Sequence, residues 1–142
     1  MRKLLPNMIA ALLLATPALA ANMTVTGGWF RALPAKLPAG GYFTLHNGGA
    51  MPVSLIGAAS PACGSLMLHK SMTMNGMASM ESIESIPVPP GTDVTFAPGG
   101  YHLMCMQPTP AMKPGASVPV TLQFADGAKL TSNFAVKTAT GK

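Results

Sequence analysis

Between about Met23 and Val136 the chain alternates short apolar and β-branched runs with turns built from Gly, Pro and Asn, and no stretch carries the apolar spacing of a helix. A chain patterned this way buries its apolar residues by stacking or closing sheets, so the expected fold is an all-β sandwich or barrel. The last two strands are the clearest. Val118, Val120, Leu122 and Phe124 alternate with Pro119, Thr121 and Gln123, and Asp126-Gly127 then turns the chain into Leu130 to Val136. Earlier candidate strands are Gly41 to His46, Val53 to Ala58, Ser65 to Met72, Met77 to Ile83, Asp93 to Phe96 and Tyr101 to Met106.

The first twenty residues, MRKLLPNMIAALLLATPALA, read as a secretory signal peptide, with a charged start, an apolar run from Met8 to Ala15 and the small-residue site Ala18-Leu19-Ala20. That run is too short to span a bilayer, which takes about 20 apolar residues, and no second one follows. Residue 21 is Ala rather than Cys, so no lipid anchor is indicated. The expected product is an exported protein that does not span the membrane, in a bacterial periplasm, with residues 21–142 forming one domain. Without Arg2 and Lys3 the nine basic residues become seven against four acids, a net charge of +3. Those seven are scattered and form no stripe for nucleic acid. In an oxidising compartment Cys63 and Cys105 most simply form one disulfide.

Sulfur is concentrated elsewhere too. Of the ten methionines after residue 20, eight fall between Met67 and Met112. Methionine often does no more than fill core gaps. Here Met72, Met74, Met77 and Met80 sit among Ser71, Thr73, Asn75, Gly76 and Ser79, the composition of an exposed turn. A two-residue turn at Asn75-Gly76 pairs Met74 with Met77, Thr73 with Ala78, Met72 with Ser79 and Ser71 with Met80. His69 then shares a face with Met80, one diagonal of roughly 7–8 Å away. Met72, Met74 and Met77 face the other way and rank below Met80 as ligands.

The segment PGGYHLMCM, residues 98–106, supplies a second pair. In an extended strand His102, Met104 and Met106 project to one face, while Tyr101, Leu103 and Cys105 project to the other. His102 and Met104 can therefore hold one ion together, and Cys105 points toward the core. Cys63 shares its parity with His69, so a bridge to Cys105 needs Gly64 to break the alternation.

Neutral thioethers with imidazoles suit Cu(I) far better than zinc, magnesium or calcium. Thiolates bind Cu(I) more tightly, but an oxidising compartment converts them to disulfides.

The spacing of His69, Met80, His102 and Met104 resembles the H-x10-M-x21-H-x-M signature of the periplasmic copper chaperone family PCuAC. The phrases GGWFRALPA, GGYFTLHNGG, SLMLHKS and FAPGGYHLMCM also resemble that family, and the likeness covers nearly all of the chain after the leader. The resemblance implies a cupredoxin-like, immunoglobulin-like Greek-key β-sandwich. It also implies one Cu(I) held by His69, Met80, His102 and Met104, and delivery to respiratory oxidases, notably cytochrome c oxidase subunit II. Some relatives carry a His- and Met-rich tail for a second copper; this chain ends NFAVKTATGK, so one site and a monomer are expected.

Two other classes compete. A blue-copper electron carrier needs a Cys thiolate with two His and an axial Met, and no histidine follows Cys105. A hydrolase is not indicated, because Glu81, Glu84, Asp93 and Asp126 form no arrangement with a nucleophile and neither HExxH nor GxSxG occurs. His46 reads as a polar strand-end residue, and Trp29 and Phe30 as packing residues rather than a docking surface with Arg31. A copper buffer without a recipient needs the same reversible site, so sequence leaves buffering and delivery open.

Overall fold

The computed structural model describes residues 22–142; the expected leader and its cleavage point before Ala21 lie outside the described residues. Ten strands are present among them: β1 Met23–Arg31, β2 Ala39–Asn47, β3 Val53–Ala59, β4 Cys63–Met74, β5 Met77–Ser82, β6 Ile86–Val88, β7 Asp93–Phe96, β8 Tyr101–Pro108, β9 Ser117–Phe124 and β10 Lys129–Lys137. The chain is all-β, as the alternation predicts. β1 and β6 are additions to the named candidates; β6, at three residues, is too short to register as a period.

Hydrogen bonding runs β5-β4-β8-β2-β1-β10-β9-β3-β6, with β7 also on β2. Neighbours pair antiparallel except β1 and β10, which run parallel from Trp29↔Ala135 to Arg31↔Lys137. This path curls into a sandwich around one apolar cluster. Val118, Val120, Leu122 and Phe124 of β9 are all buried, and Phe134 of β10 is in ring contact with both Phe30 and Phe43. The alternation that marks β9 in sequence is thus its inward face.

β1 must serve two neighbours, and a bulge between Thr26 and Trp29 lets it do so. Gly27 takes a φ of +64°, while a Cβ on Gly28 would lie 2.7–2.9 Å from the Phe134 ring. The first glycine makes the bulge and the second lets the ring in.

Closing turns follow their residues. Asn75 and Gly76 both have positive φ, 52° and 75°, as a two-residue hairpin turn requires. The resulting register, Met74↔Met77 through Ser71↔Met80 to His69↔Ser82, is the one that turn predicts. At the end of β2, Asn47 is buried and fully bonded: its amide donates to Met51 O and Val88 O, and its Oδ1 accepts from Gly49 N–H.

Candidate metal centre

The β4–β8 pair carries the site. Its antiparallel register sets His69 against His102, Met67 against Met104 and Leu68 against Leu103. Leu66, Leu68, Leu103 and Cys105 enter the core, so the odd residues of β4 from Ser65 to Ser71 and the even residues of β8 share the outer face. The sandwich's interior therefore holds the hydrophobic half of each strand, and the polar and sulfur-bearing half is presented outward.

His69 and His102 lie edge to face, their ring centroids 5.6 Å apart. One ion with metal–nitrogen bonds of about 2 Å reaches both rings at that separation. His102 Nδ1 is 3.2 Å from Gly100 O. A carbonyl only accepts, so Nδ1 carries the proton and Nε2 of the neutral ring keeps its lone pair. That Nε2 is buried and meets no protein partner, and the same holds for His69 Nδ1. His69 Nε2 has only a long contact of 3.5 Å with Ser82 Oγ. Burial, and then the neighbouring His102, lower the pKa of His69 below 6.5, keeping its ring neutral and able to bind a metal.

Met80 reaches the face from β5, the edge strand, whose six residues are all exposed. Met80 is 59% exposed, whereas His102 is 5% exposed. The turn around Gly99 and the chain between β1 and β2 both border His102, through Pro98 and Gly99 on one side and Leu33 and Pro38 on the other. Met80, His102 and Met104 line one hollow with Arg31, Pro38 and Tyr42. Gly40, the cross-strand partner of Met104, is overlaid by the Tyr42 ring, whose hydroxyl would be 2.7 Å from a Cβ there.

No carboxylate lines that hollow, and among the described residues no three of His, Cys, Asp and Glu converge as metal ligands. Its one ionic group is Arg31, whose guanidinium lies over Trp29 and Tyr42 at 5.6 and 5.5 Å. A neutral donor set beside a fixed cation offers no charge compensation to a hard divalent ion. It suits a soft monovalent one.

The LpqE-like family model, described as a putative lipoprotein, matches residues 23–136. The chain belongs to the LpqE-like family. A relative, the putative lipoprotein Lxx21020 of Leifsonia xyli subsp. xyli, is 34% identical over 116 residues, covering 81% of this chain and 68% of its own. Among solved structures, the copper-bound PCuAC domain from PmoF2 superposes with a TM-score of 0.68 at 26% identity, over 82% of this chain and 93% of that one. The solution structure of CuI-DR1885 from Deinococcus radiodurans gives 0.63 at 33% identity, over 78% and 75%. The LpqE-like chain thus has the PCuAC β-sandwich, as its motif spacing implies.

Cys63 and Cys105 of this LpqE-like chain are joined in a disulfide, Sγ to Sγ 2.02 Å. Facing the start of β4, Gln107 takes a φ of +50°, and the missing side chain of Gly64 leaves room for it, since a Cβ there would lie 2.7 Å from Gln107 Oε1. His46 stands apart, paired with Asp93 across β2 and β7. Phe30 is core, and Trp29 packs on Tyr42 with ring centroids 5.0 Å apart.

Three residues of the LpqE-like site escape a reading of the sequence. Met67 faces Met104 directly, while Arg31 and Tyr42 arrive from β1 and β2. Parity with His69 marks Met67 as outward, but only the β4–β8 register sets it beside a ligand candidate. Nothing local marks the other two.

Proposed function

We propose that this protein is an exported copper(I) chaperone, not an enzyme, which holds one Cu(I) through His69, Met80, His102 and Met104 and hands it to an oxidase subunit. The observation that carries the reading is the pair of buried, unpartnered imidazole nitrogens, His69 Nδ1 and His102 Nε2, on the face that also bears Met104 and Met80. Leaving such nitrogens without a partner costs stability unless a ligand uses them. The similar PmoF2 domain is copper-bound and DR1885 is a CuI protein, which supports the choice of ion. Lipoprotein naming of the family and of the Leifsonia relative supports a place in the cell envelope. We assign the periplasm from the leader, and we take the protein to act as a monomer.

Within the proposed site the residues divide the work. His102 is the buried anchor, its orientation fixed by Gly100 O. Met80 sits on an exposed edge strand and is the ligand a recipient displaces first. Neutral thioethers hold the ion more weakly than the thiolates of an oxidase copper centre, so transfer runs downhill. The blue-copper alternative lacks a thiolate, because Cys105 is in the disulfide.

Anaerobic mixing of the Cu(I)-loaded protein with the copper-accepting domain of cytochrome c oxidase subunit II tests delivery. Metal should appear on the subunit in stoichiometric amount. Copper that stays on the chaperone, or leaves equally fast to a small chelator and to the subunit, would favour a buffer.

A further inference from the structure

The β4–β5 hairpin outruns the sheet that supports it. β4 pairs with β8 only as far as Lys70↔Tyr101, followed by a bond from Ser71 N–H to Gly100 O, so residues 72–79 form a free two-stranded tip. Its two faces differ. Ser71, Thr73, Ala78 and Met80 continue the outer face, whereas Met72, Met74 and Met77 share the inner one, with Ser79 opposite Met72. On the sandwich proper that inner face is the core. Beyond its edge the cover thins out: Met72 is half-buried, and Met74 and Met77 are 61% and 73% exposed.

Met23 and Met112 are buried and serve as filler, while Met51 is a lone exposed methionine. The tip instead gathers three methionines on one face, two of them exposed. Directly opposed side chains have Cβ atoms about 4.5–5.5 Å apart, and a methionine has three rotatable bonds, so Met74 and Met77 can bring their sulfurs onto one ion with Met72 from the next position on the same face. The next cross-strand pair on that face is Lys70 and Glu81, with the Lys70 ammonium over the Tyr101 ring at 5.2 Å. Three neutral thioethers as donors suit a soft monovalent cation.

We propose that Met72, Met74 and Met77 form a second, weaker soft-metal site, which takes a Cu(I) at the hairpin tip, on the opposite face from Met80. The proposal rests on the copper reading for the identity of the ion alone. Met80 lies on the same edge strand three residues from Met77, so the tip is placed to pass an ion around that edge to the four-ligand site.

Methionine methyls labelled with 13C and titrated with Ag(I), a redox-silent stand-in for Cu(I), resolve the two sites. The first equivalent should shift the methyls of Met80 and Met104, and the second those of Met72, Met74 and Met77. Replacing all three tip residues by leucine, M72L, M74L and M77L, keeps apolar bulk and removes the sulfur. It should weaken the second equivalent by at least about tenfold and leave the first unchanged. Tip methyls that do not respond, or a second equivalent that survives in the triple variant, would overturn the proposal. If the tip responds while Met80 and Met104 stay silent, the second site stands and the four-ligand reading fails.

Discussion

His69 and His102 meet across the β4–β8 ladder at a centroid separation of 5.6 Å and an interplanar angle of 78°, and each ring leaves one buried nitrogen without a protein partner. Two imidazoles held edge to face by backbone register cannot satisfy each other's lone pairs. The cross-strand pair is thus pre-organised for an ion, and the two thioether positions lie on the same outer face.

Substitutions should separate the faces of the hairpin. Met104→Ala and His102→Ala are each expected to weaken the first Cu(I) equivalent by at least about tenfold, roughly 1.4 kcal/mol. Met72→Ala, on the opposite face, should leave that equivalent intact. Competition with a Cu(I) chelator under reducing conditions measures all three, and equal losses would mean that the methionines bind diffusely.

The first equivalent should also be selective. One tightly held Cu(I) per chain is expected, with no measurable retention of zinc when both compete, because no carboxylate lines the hollow to compensate a divalent charge. Metal analysis after equilibration with both ions checks this. Retained zinc would sink the soft-site assignment.

His69 should titrate below 6.5 in the metal-free protein, because burial and then His102 disfavour its charged form. The sign follows from linkage: the unfolded chain takes up this proton first, so the residue's contribution to stability falls as pH drops from 6.5 through the lowered native value. Following the ring protons by NMR checks the midpoint. His102→Ala should move it back toward 6.5; an unchanged midpoint would leave burial as the whole cause.

Loss of the disulfide should act on the fold and not on the metal. Cys105 is fully buried and its side chain points away from His102 and Met104. Changing Cys63 and Cys105 to Ser should cost about 2–5 kcal/mol, read from denaturant unfolding. A double variant that folds but no longer binds Cu(I) would contradict the outer-face assignment.

Gly28→Ala should destabilise the sandwich by about 1–3 kcal/mol, as overpacking in a filled core does. The new methyl meets the Phe134 ring at under 3 Å, and Phe134 is fully buried. Thermal unfolding measures the loss, while copper binding should persist, because the new methyl meets the core ring of Phe134 and none of the four ligand candidates.

Local chemistry made much of this legible in advance. Asn75-Gly76 can adopt the two positive φ angles that a tight hairpin demands, so the sequence by itself determined the β4–β5 register and put Met80 on the face of His69. Period-two alternation likewise separated His102 and Met104 from Cys105, and β9 displayed its buried face residue by residue. Each of these follows from interactions within one strand or one turn. The pairing of β4 with β8 does not, because two strands some thirty residues apart in sequence can slide in steps of two without changing which residues face inward. Only the tertiary structure set His69 opposite His102 and Met67 opposite Met104. It also decided the parallel β1–β10 contact and the cover of Arg31 and Tyr42 over His102, since both depend on how the sheet curls around a shared core. The overhang of residues 72–79 belongs to the same class: β4 continues past the first residue of β8, so the inner face of the tip has no sheet beneath it.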